Sequence, residues 1–295
     1  MKKTKGVLGK AARYVYLFII SFAIIYPILM LISSSFKDLY GLIDPMVRWI
    51  PTKIEWQNYV KAFNCIGGIK VMVQSVATIV FISMMQTMIS AITAYGFAKA
   101  RFRGHNLLFG LMLVLFFVPD QVMFIPRYVL YSKYQLVGSW WTVILPASFG
   151  QGIRSPLMIL LFWLFYRQQP KSLEDAAYID GASALKTFAK INLPLAKSGF
   201  SIVFILSFAF NWNDTYFTSV FFEGKVNTVN LMLKSAKSLY AMTNGGAENT
   251  SLDKYYNSAI EAAGVILSII PLIVLYILSE RKMIEAIDKV GISGE

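Results

Sequence analysis

Long apolar runs separated by short polar segments make up most of the chain, and this alternation predicts a bundle of membrane-spanning helices. Residues 14–36 and 71–98 contain no charged side chain, and each run exceeds the roughly 20 residues that cross a bilayer core. Residues 262–279 form another uncharged run. We predict an all-α polytopic membrane protein, a single transmembrane domain over residues 1–295 with six transmembrane helices. The predicted spans are about 14–36, 71–98, 107–130, 139–166, 199–222 and 260–280.

Three of the predicted spans contain polar interruptions. Asp120 follows Pro119 in the third span, Arg154 precedes Pro156 in the fourth, and the cluster Asn211–Asp214 lies in the fifth. Ionisable groups within spans are costly and usually face a cavity or a partner. We therefore expect the third and fourth helices to be broken near these residues.

The longest polar segment with helical character lies between the fourth and fifth spans, at residues 167–197. Its central part, Ser172–Pro194, predicts a helix-turn-helix. Ser172 is suited to cap the first helix, and Gly181 permits a sharp turn. A second helical run should continue to about Ile191 and end at Leu193–Pro194.

Composition and charge favour a membrane protein with a defined orientation. Hydrophobic residues make up 56% of the chain, charged residues 15%, and the mean hydropathy is +0.56. The formal net charge of +12 lies in short segments between spans, which argues against a nucleic-acid partner. Lys99, Arg101 and Arg103 are concentrated in residues 98–106, and basic residues accumulate in cytoplasmic loops. We predict that both termini and residues 167–197 are cytoplasmic.

A cleaved signal peptide is the alternative for the N-terminal apolar run. The apolar region of a signal peptide covers about 7–15 residues and ends at a small-residue cleavage site. Residues 14–36 form a longer run that contains Tyr26-Pro27. We therefore expect this run to remain as the first span.

The sequence offers few residues for catalysis or metal binding. Cys65 is the single cysteine and His105 the single histidine, so an internal disulfide and the familiar Cys/His zinc spacings are excluded. A phosphate-binding loop and a Ser/His/Asp set are also missing from the sequence. We expect no catalytic residue, no metal site and no cofactor in this chain, and we interpret Cys65 and His105 as structural.

The central polar segment carries a spaced motif. It contains Asp175-Ala176-Ala177, then three residues, Gly181, nine residues, and Ile191-Asn192-Leu193-Pro194. This pattern resembles the cytoplasmic loop of the permeases of bacterial binding-protein-dependent ABC importers, with Asp175 where the family has Glu and Glu174 beside it. The flanking segments are similar to the maltose-type carbohydrate branch. These segments are Tyr178–Ser183, Trp49–Pro51, Asn58-Tyr59, Ile125-Pro126 and Trp212–Asp214.

This resemblance implies a coupling helix between spans four and five that docks in a groove of a cytoplasmic ATPase. It implies that a dimeric ATPase partner holds ATP and Mg and performs the hydrolysis. The predicted coupling residues are Glu174, Asp175, Ala176, Ala177, Asp180, Gly181, Ile191, Leu193 and Pro194. From charge and pattern alone, an amphipathic helix lying in the membrane interface is the alternative.

The resemblance also implies the remaining partners and the location. A second permease subunit, expected as a heterodimer partner, would complete the pore. An extracytoplasmic solute-binding protein would dock on the outer segments at residues 37–70 and 223–258. The expected location is the bacterial cytoplasmic (inner) membrane, in contact with the lipid bilayer and crossing it several times.

The charged residues within the spans suggest a substrate path. We predict that Arg154 pairs with Asp120 or Asp214 beside this path, with nearby amides available to sugar hydroxyls. The full set of candidates is Asp120, Gln121, Gln151, Arg154, Asn211, Asn213 and Asp214. Structural anchoring at the water interface, or contact with the binding protein, is the alternative role for these residues.

Two functional classes follow. The leading hypothesis is a permease subunit of an ATP-driven importer of carbohydrate, expected to be oligosaccharide. The alternative is a stand-alone ion-coupled secondary transporter in which Asp120, Asp214 and Arg154 serve ion coupling. A membrane-embedded enzyme is disfavoured because the sequence contains no catalytic set.

Overall fold

The computed structural model describes residues 2–47, 49–243 and 256–292. Every regular element within these residues is helical, which confirms the predicted all-α class. A 3-10 turn covers Asp120–Met123, and a π-helical turn covers Phe188–Asn192. The α-helices are α1 (Lys2–Ser35), α2 (Leu39–Ile43), α3 (Gln57–Cys65), α4 (Gly68–Lys99), α5 (His105–Phe117), α6 (Phe124–Lys133), α7 (Trp141–Ser148), α8 (Ser155–Arg167), α9 (Lys171–Ile179), α10 (Ala184–Thr187), α11 (Leu193–Leu195), α12 (Lys197–Asn213), α13 (Tyr216–Phe221), α14 (Val229–Thr243) and α15 (Ser258–Ile292).

Within the residues that the structure describes, three helices are each long and apolar enough to cross a membrane. Their spanning parts are Arg13–Ser35 of α1, Gly68–Lys99 of α4 and Ser258–Arg281 of α15. These parts correspond to predicted spans one, two and six. Both α1 and α15 continue beyond the predicted limits, since a helix need not end where its side chains become charged. The protein is therefore a polytopic membrane protein.

The third, fourth and fifth predicted spans are broken helices. The segments His105–Phe117 and Asp120–Lys133 meet at an angle of 98°. Val118 is extended there, because the residue before a proline disfavours the α conformation. A non-helical stretch that includes Gly150, with φ +71°, separates α7 from α8, and the break after α12 comes at Asp214. The interruptions predicted for spans three and four are confirmed.

The chain packs as two compact units, of which the larger comprises the described residues within 70–231 and 271–292. Its apolar core joins Ala91 and Ala94 of α4 to Phe162 of α8 and Val203 of α12. Gly199 lets α12 approach α8 closely, since a Cβ at this position would lie 2.6 Å from Cδ2 of Phe165.

The smaller unit comprises the described residues within 1–69 and 232–270. Asn58 is buried there and donates from Nδ2 to the carbonyls of Ser35, at 3.0 Å, and Lys37, at 2.9 Å. Ala62, Ile260 and further apolar side chains form its core. The assignment of residues 1–295 to one domain stays a prediction.

Replacing Gly199 should destabilise the larger unit. Gly199→Ala forces the Phe165 ring to move, and we expect a loss of about 1–3 kcal/mol because overpacking strains a filled core. Thermal unfolding of the purified protein in detergent measures this loss. Gly110→Ala in α5 is the matched control, since a Cβ there meets nothing within 4 Å and should be tolerated. Equal melting temperatures for the two variants would contradict the close approach.

Candidate functional site

The predicted coupling segment forms two helical parts joined by a tight turn. Helix α9 begins directly after Pro170 and is followed by Asp180, which ends it. Gly181 then adopts φ +76°, a left-handed conformation that favours glycine. The turn predicted at Gly181 is therefore present. We refer to residues 171–195 as the coupling loop.

Ser172 does not cap α9 as the sequence suggested. The helix starts one residue before it, because Pro170 occupies the cap position and makes no side-chain cap hydrogen bond. Ser172 therefore lies inside the first turn. A serine cap appears at the second helix instead, where the Ser183 side chain accepts from the Lys186 amide at 3.4 Å.

The predicted end of the second helical run at Leu193–Pro194 is also wrong. The run continues through the π-helical turn into α11, which ends at Leu195. Pro194 lies in the first turn of α11, where its missing N–H costs little. The chain bends by 80° between Leu195 and Lys197, where α12 begins.

The inward face of the coupling loop carries a buried carboxylate, Glu174. Its side chain forms an ion pair with Lys99 at 2.8 Å and accepts from Nδ2 of Asn192 at 2.5 Å. Asn192 also donates to Oε1 of Gln169 at 2.9 Å. We call Lys99, Gln169, Glu174 and Asn192 the inner clamp. The sequence motif contains Asn192 and has Glu174 beside it, but it gave no signal that these two side chains contact each other or that they pair with Lys99 and Gln169.

The environment of Lys99 is basic. A cavity of about 490 Å³ at the turn between α4 and α5 is lined by Lys99, Arg101, His105 and Arg167, among others. The hydrogen bonds of the His105 ring with Asn106 and with the Phe97 carbonyl raise its pKa. The Lys99 ammonium, which pairs with Glu174, therefore lies among other basic side chains.

The outward face of the coupling loop is exposed and partly apolar. Ile179 is 86% exposed and Leu185 is 74% exposed, and Tyr178 is exposed beside them. Five of the predicted coupling residues are exposed, and four of them lie beside these side chains: Asp175, Ala176, Asp180 and Gly181. Ala177 is buried, Ile191 and Leu193 are partly buried, and Pro194 is exposed. We call the exposed residues 175–176, 178–181 and 185 the docking face.

A second candidate site is a cavity of about 740 Å³ at the breaks of the third, fourth and fifth spans. Its polar lining brings together five of the seven predicted substrate-path residues: Asp120, Gln121, Arg154, Asn213 and Asp214. Aromatic rings complete the wall: Phe116, Phe117, Phe210, Tyr216 and Phe217. We call this space the polar cavity.

The predicted ion pair of Arg154 with Asp120 or Asp214 is not formed. In the part of the chain that the structure describes, ion pairs join Lys53 to Glu55, Lys99 to Glu174 and Lys225 to Glu223. The Asp214 carboxylate instead caps α13, where it accepts from the amides of Phe217 and Thr218, each at 3.1 Å. A carboxylate that caps a helix start has part of its hydrogen-bonding capacity already used.

The other two candidates, Gln151 and Asn211, lie outside the polar cavity. Both line a narrow space of about 30 Å³, which Asp120 also borders. Asn211 is buried and donates from Nδ2 to Oε1 of Gln86 at 3.1 Å. Asn211 therefore has a structural partner inside the protein.

Gln86 is a buried polar centre that sequence reasoning missed. Its Nε2 donates to the Ile153 carbonyl at 2.6 Å and to the Ser155 hydroxyl at 3.2 Å, while its Oε1 accepts from the Ser207 hydroxyl at 2.8 Å. Since Ile153 and Ser155 flank Arg154, Gln86 holds the residues on both sides of Arg154, through a backbone carbonyl at Ile153 and a side-chain hydroxyl at Ser155. The available signal was a glutamine in the uncharged run at residues 71–98, which also contains Gln74.

The model of one protein family matches residues 86–284, which is more than half of the chain and includes both candidate sites. The family is the binding-protein-dependent transport system inner membrane component. The chain belongs to this family. Membership makes it a membrane component of a transport system, in agreement with the resemblance of its loop motif.

Relatives of this inner membrane component span nearly its whole length. It is 26% identical to the "Probable ABC transporter permease protein YurM" of Bacillus subtilis, over 99% of this chain and 91% of the relative. It is 28% identical to the "Arabinooligosaccharides transport system permease protein AraQ" of Halalkalibacterium halodurans, over 99% of each. It is 26% identical to the "Trehalose transport system permease protein SugB" of Mycobacterium tuberculosis, over 91% of this chain and 92% of the relative.

A solved structure has the same fold. It is a chain of a bacterial ABC transporter involved in the import of the acidic polysaccharide alginate. The similarity has a TM-score of 0.71 at 20% identity, and it covers 93% of this inner membrane component and 96% of the other chain. At this identity, the comparison supports the fold.

Removing the Gln86 amide should destabilise this inner membrane component. Gln86→Leu keeps a similar volume but leaves the Ile153 carbonyl, Ser207 and Asn211 without their buried partner. We expect a loss of about 1–3 kcal/mol, measured by thermal unfolding in detergent. Gln74→Leu on the same helix is the control, because Gln74 is exposed and should tolerate the change. A Gln86→Leu variant as stable as the control would contradict the central role of Gln86.

Proposed function

We propose that this chain is the permease subunit of an ATP-driven, binding-protein-dependent importer of carbohydrate, and that it forms half of the translocation pathway. The single observation that carries the proposal is the family match over residues 86–284. The carbohydrate specificity is supported by relatives named for arabinooligosaccharide and trehalose transport. An oligosaccharide is the substrate we favour.

The polar cavity supports this substrate class. Sugars present many hydroxyl groups together with apolar ring faces, so a suitable wall combines hydrogen-bonding side chains with aromatic rings. Amides, carboxylates and a guanidinium stand beside phenylalanines and a tyrosine in this wall. A partner permease would close the other side of the path.

The docking face supports coupling to an ATPase. Exposed apolar side chains outside the spans suit helix-in-groove recognition, and Asp175 adds a carboxylate for a basic partner. We assign the groove to a dimeric cytoplasmic ATPase that holds ATP and Mg. This assignment requires the coupling loop and both termini to be cytoplasmic.

The remaining partners complete the proposed assembly. A second, different permease chain forms a heterodimer with this one, and an extracytoplasmic solute-binding protein docks on the outer segments at residues 37–70 and 223–258. Uptake by reconstituted liposomes tests the whole proposal. Transport should require ATP and all components, whereas uptake by this chain under an ion gradient would favour the secondary-transporter alternative.

Charges placed on the docking face should weaken association with the ATPase. In the Ile179→Asp and Leu185→Asp variants, burial in the groove would leave a carboxylate desolvated. We expect about tenfold less ATPase to co-purify with the complex for each, consistent with a cost of 1.4 kcal/mol. Ile54→Asp is the control, because Ile54 is 56% exposed but lies in a predicted outer segment. Undiminished ATPase recovery in both test variants would refute the docking role.

A cysteine in the polar cavity should be accessible from water. On a Cys65→Ala background, Asn213→Cys should react with a charged, membrane-impermeant thiol reagent, and the transported sugar should slow the reaction. Val114→Cys in α5 is the control, since Val114 is 59% exposed but does not line the polar cavity. Equal labelling at the two positions, or labelling that no sugar slows, would argue against a substrate path through this cavity.

A further inference from the structure

The inner clamp joins the coupling loop to the end of the second span. Lys99 is the last residue of α4, and Glu174 lies in the first turn of α9. Their side chains are 13% and 7% exposed, so the 2.8 Å ion pair is largely removed from water. Charge pairs are stronger in such an environment, and removing one partner leaves the other charge buried without compensation.

The clamp engages Glu174 through one oxygen of its buried carboxylate. Its Oε1 meets both the Lys99 ammonium and Nδ2 of Asn192, and Asn192 is itself tied to Gln169 beyond the end of α8. Asp175, the next residue, is exposed on the docking face. The two neighbouring carboxylates therefore differ in their surroundings. Asp175 is accessible to a partner protein, whereas Glu174 is buried and paired with Lys99.

A separate contact holds the second half of the loop. Phe188 is buried, with its ring 5.0 Å from the ring of Tyr95 in α4 and 6.3 Å from that of Tyr166 in α8. Along the chain, the turn at Gly181 lies between Phe188 and Glu174. Each half of the loop thus has its own attachment to α4, one ionic near α9 and one apolar near the π-helical turn.

We propose that the Lys99–Glu174 pair is a positioning pair that transmits displacement of α9 to the inner end of α4, so that the second span moves with the coupling loop. The proposal rests on the proposed function, because it assumes that an ATPase displaces the docking face. Without the pair, the ATPase still binds the docking face, but the displacement of α9 is no longer transmitted fully to α4. Hydrolysis then proceeds with less transport.

The test uses the complete transporter in liposomes with Glu174→Gln, Lys99→Met and the exchanged pair Lys99→Glu/Glu174→Lys. For the two single variants we expect unchanged ATPase recovery and about tenfold less sugar transported per ATP hydrolysed, within the usual range of coupling energies. The exchanged pair should restore at least half of the wild-type ratio, because it rebuilds the attraction. Asp175→Asn is the matched control, and it should reduce ATPase recovery without changing this ratio.

A second measurement separates the clamp from a general role in folding. Glu174→Gln keeps the shape of the site but leaves the Lys99 ammonium without its charge partner, so its melting temperature should fall, and the exchanged pair should regain most of this loss. In Glu174→Gln, amide hydrogen exchange of residues 171–179 should become faster than in the wild type, whereas exchange in helices remote from the clamp should not. A wild-type transport ratio for Glu174→Gln, no recovery in the exchanged pair, or unchanged exchange in α9 would each overturn the proposal.

Failure of the proposed function gives a different result. In that case, the Ile179→Asp and Leu185→Asp variants would retain full ATPase recovery or no ATPase would associate at all. The exchange measurement on α9 does not depend on the ATPase, so it still reports whether the Lys99–Glu174 pair holds the loop.

Discussion

The architecture depends on one constraint, that polar groups buried at membrane depth must find their partners inside the protein. Three predicted spans are broken, and each break frees backbone groups that a continuous helix would pair. Gln86 satisfies one of these backbone groups, because its amide donates to the Ile153 carbonyl beside the break before α8. The same side-chain amide accepts from Ser207 and Asn211. Non-helical backbone is tolerated here because side chains from other helices satisfy it.

The pattern of apolar and charged residues predicted where long membrane-spanning helices lie and where one span is broken. The uncharged runs at residues 14–36 and 71–98 became continuous helices, and Pro119 marked the break between α5 and α6. The ends of the helices were less predictable, because they depend on single capping positions. Pro170 displaced Ser172 from the start of α9, and Pro194 was accommodated in a first turn instead of ending the helix.

The residues of the candidate sites also differ in how far the sequence could predict them. Asp175 and Gly181 were identified from the spacing of the loop motif. The charged residues of the broken spans were identified because an ionisable side chain within a membrane span is energetically costly. Partners that come from distant elements were not predictable. Lys99 is 75 residues from Glu174 in the sequence and Gln86 is 121 residues from Ser207, so only the packing of helices brings these pairs together.

Helix α4 connects the two sites. Gln86 and Lys99 lie on this helix and are separated by 13 residues, or about 20 Å along a straight α-helix. Lys99 holds the first helix of the coupling loop. Gln86 holds the Ile153 carbonyl and the Ser155 hydroxyl on either side of Arg154, which lines the polar cavity. A displacement of α9 that the pair passes to Lys99 would therefore reach Gln86 through continuous helical hydrogen bonds, without crossing a broken span. Because Gln86 is bonded to both flanks of Arg154, movement of α4 would reposition this guanidinium in the cavity.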